Sequence, residues 1–212
     1  MRCSIPILAG CAVCALALAW VGPSSAGASD PPAPAFSVTF DSEWIRLSIM
    51  GDSLEVRGTY YLRCRERTGG RISLFYPFPE DSLLGGARMV SLRASVDGID
   101  AGAVSWEKSR GATGVRWLAP PCTGDTIAME AVYRQALTTT YARYIVTTTR
   151  AWQRPLRLAR FEIRLPAGAV PVEFSFPFEA RGDSAGRYYG FDAKDFLPDR
   201  DVVVRWTTPR AK

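Results

Sequence analysis

The chain contains no histidine and no asparagine, and its basic side chains are 23 Arg against three Lys, namely Lys108, Lys194 and Lys212. Without histidine there is no Ser-His-Asp or Cys-His nucleophile system, no His-ligated zinc and no imidazole proton shuttle. Without asparagine there is no Asn-x-Ser/Thr glycosylation acceptor. Helical patterning is scarce as well: no stretch keeps an apolar helical stripe beyond two turns. Much of hydrolase and metalloenzyme chemistry is thereby excluded before any motif is sought. A His-free enzyme would have to rely on two carboxylates, as glycosidases do.

The 212 residues begin with an export pattern. Arg2 is the only charge in the first 29 residues, an apolar run covers 5–21, and Gly22-Pro23-Ser24-Ser25 leads to the small-x-small triplet Ala26-Gly27-Ala28. This pattern predicts a signal peptide over 1–28, a Pro-rich spacer over 29–35, one domain over 36–208 and a short tail over 209–212. The expected location is periplasmic or extracellular, with no transmembrane span after cleavage. Two alternatives tether the chain: an uncleaved N-terminal anchor, or lipidation at Cys11 in the lipobox-like Leu8-Ala9-Gly10-Cys11. Cleavage would remove Cys3, Cys11 and Cys14, leaving Cys64 and Cys122 to pair in an oxidising compartment.

Beyond the spacer the dominant period is two. Leu54, Val56, Tyr60, Leu62 and Cys64 share one face of a strand, and Glu55, Arg57, Thr59, Tyr61 and Arg63 share the other. Ile45, Leu47 and Ile49 form its hairpin partner across Gly51-Asp52-Ser53. Further strands are predicted over 72–78, 89–96, 103–107, 115–118, 126–133, 141–148, 160–165, 172–178 and 202–206. Such short strands between Gly/Pro turns predict an all-β fold, an antiparallel β-sandwich of immunoglobulin-like or jelly-roll-like type. Pro77 and Pro79 each remove a ladder donor on the same side, which marks an edge strand.

Several residue groups could carry chemistry. Arg143, Arg150, Arg154, Arg157, Arg160 and Arg164 form the densest basic stretch. Arg160, Glu162 and Arg164 alternate with Phe161, Ile163 and Leu165, the pattern of a solvated strand face, so no nucleic-acid partner is expected. Asp192, Asp195, Asp199 and Asp201 crowd the approach to the last strand and could hold Ca²⁺ if a loop turned them inward. They lack the Gly and Glu of a calcium loop, and no cofactor is expected. Trp106 and Trp117 should face each other across a hairpin centred on Gly111-Ala112, either as a core pair or as a sugar platform. Arg181-Gly182-Asp183 is the integrin-type tripeptide, discounted as a turn sequence. Glu130, Glu162 and Glu173 are the strand carboxylates a glycosidase would need, but they share faces with arginines.

The run Tyr144-Ile145-Val146-Thr147-Thr148, then Trp152, Pro155-Leu156 and the strand 161–165, closing with Phe196-Leu197-Pro198-Asp199 and 202–206, resembles secreted bacterial β-sandwich domains of unknown function. Tyr76-Pro77-Phe78-Pro79-Glu80 followed by Val96-Asp97-Gly98 is similar to the amino half of vault/inter-alpha-trypsin-type domains. The resemblance implies a sandwich and transfers no catalytic residue. It makes Trp152 and Pro155 loop anchors and Trp206 a core residue. The expected function is a non-enzymatic, envelope-associated interaction or structural domain with an envelope protein or polymer as partner. A carbohydrate- or anionic-polymer-binding module is the alternative, and a carboxylate-pair glycosidase a third.

Overall fold

The computed structural model describes residues 37–108, 113–184 and 186–208; the expected leader, spacer and tail, and the Gly111-Ala112 turn, lie outside them. Fourteen strands follow in chain order: β1 (Val38–Met50), β2 (Ser53–Cys64), β3 (Ile72–Pro77), β4 (Leu84–Val96), β5 (Ile99–Ala103), β6 (Trp106–Lys108), β7 (Gly114–Ala119), β8 (Thr126–Leu137), β9 (Tyr141–Tyr144), β10 (Leu156–Arg164), β11 (Val170–Phe174), β12 (Glu179–Asp183), β13 (Gly186–Phe196) and β14 (Val202–Thr207). They make one eight-stranded sheet, β12-β13-β10-β1-β2-β8-β4-β5, and two three-stranded sheets, β11-β14-β9 and β3-β7-β6. The all-β sandwich expected from the period-two pattern is what forms. One pair departs from the antiparallel rule: β1 runs parallel to β10, which the long excursion between them permits.

The hairpin of β1 and β2 is the centre of the large sheet, and Gly51 takes the positive φ that its tight turn requires. Along β2 the predicted alternation holds, with Leu54, Val56, Tyr60 and Leu62 buried and Arg57, Tyr61 and Arg63 exposed. Both small sheets pack on this inner face. Tyr76 of β3 meets Tyr60 of β2 and Tyr133 of β8 edge-on, and Phe174 of β11 meets Tyr189 of β13. β3 lies at the edge of its sheet, as Pro77 requires. The Sγ atoms of Cys64 and Cys122 are bonded, with Cα atoms 5.7 Å apart.

Several element assignments change: β4, β8 and β10 are longer than expected, β12 was not expected, and four further changes bear on the candidate residues. The strand expected over 141–148 stops at Tyr144, because Asp201 at the start of β14 accepts the N–H groups of Val146 and Thr147 and turns the chain into a 3-10 helix, Thr147–Trp152. The strand expected over 103–107 is two strands, since the chain leaves the large sheet at Ala103 and joins the small one at Trp106. The strand over 172–178 begins at Val170 and ends at Phe174, before a turn in which Phe178 N–H donates to Phe176 O at 2.8 Å. The segment 186–196, taken as the approach to the last strand, is the strand β13, so Asp192 and Asp195 sit in a ladder. Among the described residues no helix is long and apolar enough to cross a membrane.

Candidate functional site

A break in strand phase creates the site. A β-bulge between Phe40 and Ser42 adds one residue to β1, so Phe40 and Glu43, three apart, both turn inward. Glu43 then takes the slot two residues before Ile45 on the apolar face, while Trp44 takes the outward one and lies under the Arg160 guanidinium. Glu43 is 3 % exposed. Its ladder partner is Tyr60, whose hydroxyl lies 2.6 Å from that of Tyr76 and 2.9 Å from that of Tyr144. Tyr144 donates to Glu43 Oε2 at 3.4 Å. One carboxyl and three phenols thus converge from β1, β2, β3 and β9, strands belonging to all three sheets.

The hydroxyl protons can be counted. Tyr144 gives its proton to Glu43, so Tyr60 must donate to Tyr144 and Tyr76 to Tyr60. All three protons run toward Oε2, and Glu43 Oε1, although buried, has no hydrogen-bond partner among the described residues. Burial pushes the Glu43 carboxyl up to about 8 against the lowering effect of Tyr144, and burial likewise raises all three phenols, which stay protonated.

This group forms the floor of a cavity of about 450 Å³. Phe40, Leu62, Leu74, Trp117, Met129 and Trp152 supply apolar wall, and Ser73, Arg116, Thr148 and Thr149 supply polar groups. The Trp152 ring is partly buried and packs against Phe40, with centroids 6.1 Å apart. Its position depends on Asp201: Oδ1 accepts from Val146 N, Thr147 N and Thr147 Oγ1 (2.8 Å), and Oδ2 from Arg143 Nε and Nη2 (2.7 Å). Burial alone would raise the Asp201 carboxyl, but the bonds from Thr147 and Arg143 hold it below its ordinary value.

Gly58 makes the Tyr60 position possible. A Cβ built on Gly58 would overlap the hydroxyl end of the Tyr60 ring, which lies back along its own strand. Gly58→Ala is therefore expected to lower stability by about 1–3 kcal/mol through overpacking. It should also break the hydroxyl chain. Denaturant melts check the first effect and the Tyr60 hydroxyl signal the second; a wild-type melt would refute the close approach.

The other sequence candidates fall elsewhere. Trp106 and Trp117 are register partners, but Trp117 is 2 % exposed and Trp106 43 %, so they form no common platform. Asp192 pairs with Arg160 and Arg181, Asp199 with Arg200, and Asp201 with Arg143. Asp195 stands on β13 with positive φ, and the four aspartates are not gathered. Among the described residues no group of three or more acidic or cysteine side chains is placed to hold a metal. Glu162 bridges Arg46 and Arg164, Glu173 pairs with Arg205, and Glu130 lies in the ladder opposite Thr59. Arg157 of the basic stretch pairs with Asp41. Arg181 of the tripeptide starts no loop; it lies within β12. Trp206 is core, and Pro155 is exposed just before β10. Trp152 lines the cavity as well as anchoring the turn.

No protein-family model matches the chain, and no curated protein matches it in sequence. Solved structures do resemble it in fold. A suggested nutrient binding protein of Legionella pneumophila superposes with a TM-score of 0.58 at 17 % identity, covering 80 % of this chain and 67 % of that one. Yeast LTA4 hydrolase superposes at 0.51 and 12 % identity over 80 % of this chain and 29 % of its own. An M1 zinc metallopeptidase of Deinococcus radiodurans gives 0.49 at 16 % identity, with 42 % of its length covered. The chain thus spans less than half of either of these last two proteins, and at these identities the likeness is one of fold.

Proposed function

We propose that this protein is an exported, non-enzymatic binding protein of the cell envelope whose cavity takes a small organic ligand. The observation that carries the reading is Glu43, a buried carboxyl among the residues lining an apolar cavity, whose Oε1 has no hydrogen-bond partner among the described residues. Native proteins seldom leave such an atom unsatisfied, since it costs about 1–3 kcal/mol, and a binding site is one place where the cost is offset. Export rests on the leader pattern and on the Cys64–Cys122 bridge, which suits an oxidising compartment. A binding role is favoured over catalysis because Glu43 is the sole carboxylate among the described lining residues, with no second carboxylate among them for a paired-carboxylate reaction. The site narrows the broader expectation of an envelope interaction domain to a cavity with a definite floor.

The test is a panel of small amines, alcohols, acids and sugars, followed by thermal shift and tryptophan fluorescence. At least one class should raise the melting temperature of the wild type. Trp152→Ala should bind none of the panel and melt a few degrees lower, since about 1 kcal/mol moves a domain of this size by about 2–4 °C. If nothing on the panel binds and Trp152→Ala is merely less stable, Trp152 is a packing residue and the cavity is a core defect.

A further inference from the structure

Resting on that reading of the cavity, we infer that its ligand carries a protonated amine, seated with an N–H on Glu43 Oε1 and with an apolar body along Phe40, Leu74 and Trp152. Three observations converge. The first is the proton count: the Tyr76–Tyr60–Tyr144 chain delivers every phenolic proton toward Oε2, so the chain itself offers Oε1 no donor. Once the carboxyl is ionised, the donor to Oε1 therefore comes from the ligand. The second is charge. Arg116 is the one basic residue in the lining, and its Nη1 faces Ser73 Oγ at 3.4 Å on the exposed side of β7. An ionised Glu43 therefore has no cation of the protein's own in contact. The third is the wall. Phe40, Tyr60 and Trp152 line the same cavity as Glu43, with the Phe40 ring centroid 6.0 Å from that of Tyr60 and 6.1 Å from that of Trp152. Ring faces attract a cationic nitrogen and give no advantage to an anion.

A metal ion does not fit the same place, because one carboxylate and neutral phenols make too poor a ligand set for a divalent cation. A neutral ligand accepting a hydrogen bond from a protonated Glu43 is the remaining alternative, and pH separates the two. With the carboxyl pushed up to about 8, an ammonium must displace the carboxyl proton when it binds at neutral pH. Its affinity should rise about tenfold per pH unit from pH 6 toward 8, where the carboxyl ionises unaided. An acceptor ligand should bind less tightly as pH rises over the same range. Few other groups confuse the reading. Tyr60, Tyr76 and Tyr144 face Glu43 from β2, β3 and β9 and are all pushed upward, away from this range. β7 brings the guanidinium of Arg116, β8 brings Met129, and the 3-10 turn brings Thr148, Thr149 and Trp152.

The experiment is calorimetric titration of the exported chain with phenethylammonium and with its neutral counterpart phenethyl alcohol, at pH 6, 7 and 8. The amine should bind at least tenfold tighter than the alcohol at pH 8. It should show the pH slope and, at pH 7, release about one proton per molecule bound, read from buffers of different ionisation enthalpy. Glu43→Gln, which keeps the shape, should abolish the preference, the slope and the proton release. Equal binding of both probes, or tighter binding of the alcohol with affinity falling as pH rises, overturns the amine assignment and leaves the cavity as a binding site. Failure of both probes also overturns it; the cavity reading then stands or falls on the wider panel.

Discussion

The double variant Cys64→Ser/Cys122→Ser is expected to lose about 4 kcal/mol of stability, the chain-entropy value for a loop of this length. The bridge spans a sequence separation of 58. Everything from β3 to β7 lies within the closed loop: the small sheet that carries Tyr76, Arg116 and Trp117, and β4 and β5 at one side of the large sheet. The bridge clamps the base of this excursion. Cys64 N–H donates to Asp125 O at 2.9 Å, and Thr68 N–H donates to Cys122 O at 3.1 Å. Cys122 is completely buried, so the variant also places a hydroxyl where a sulfur packed. A loss of this size corresponds to about 10 °C or more in melting temperature. Because β3 forms one wall of the cavity, ligand affinity should fall with it. Intact mass under non-reducing conditions should show one internal bridge. Two alkylatable thiols in the exported protein, or a double variant that melts with the wild type, would defeat the claim.

The fold was legible where burial is one-sided. β1 beyond its bulge and β2 from Val56 onward alternate because one face meets the small sheets and the other meets solvent. β13 was not legible: Gly186-Arg187-Tyr188-Tyr189-Gly190 and Asp192-Ala193-Lys194-Asp195 bury little on either face, and its ladder bonds leave no mark in side-chain chemistry. The end of β9 was hidden for another reason. Tyr144-Ile145-Val146-Thr147-Thr148 has the β-branched content of a strand, and only the distant Asp201 carboxylate diverts its backbone. Of the site, Trp152 was visible as an aromatic in a turn-rich loop, while its role in the cavity was not. Glu43 left a readable trace. In Glu43-Trp44-Ile45-Arg46-Leu47 the acid occupies an apolar slot and the tryptophan a polar one, an inversion that signals a buried acid. Gly58, isolated inside a strong strand beside Tyr60, was a second trace. Which tyrosines would meet depends on pairing across three sheets, and no local pattern contains that.

Glu43→Gln is expected to gain stability relative to the wild type as pH rises from 5 to 8 and to run parallel to it below about pH 4. The sign follows from linkage. Below the ordinary carboxyl value of 4.5 the group is protonated in both folded and unfolded chains and contributes no pH dependence. Between that value and about 8 the unfolded chain releases a proton that the folded chain keeps, so stability falls as pH rises, by at most about 1.4 kcal/mol per unit. Above the folded value the loss levels off, at a total on the order of 5 kcal/mol. Glutamine has no proton to release, so the difference between the two melts isolates this one group, every other titration being common to both. Glutamine also brings its own N–H donors to a site lined by acceptors, which does not depend on pH and shifts the curves without tilting them. Urea denaturation of both proteins at pH 5, 6.5 and 8 should therefore give curves that diverge as pH rises. Parallel curves would mean that Glu43 ionises freely, through water or an unrecognised donor, and Oε1 would lose its claim to a ligand. A saturating amine should remove the divergence in the wild type, since the ammonium supplies the charge that the empty cavity lacks.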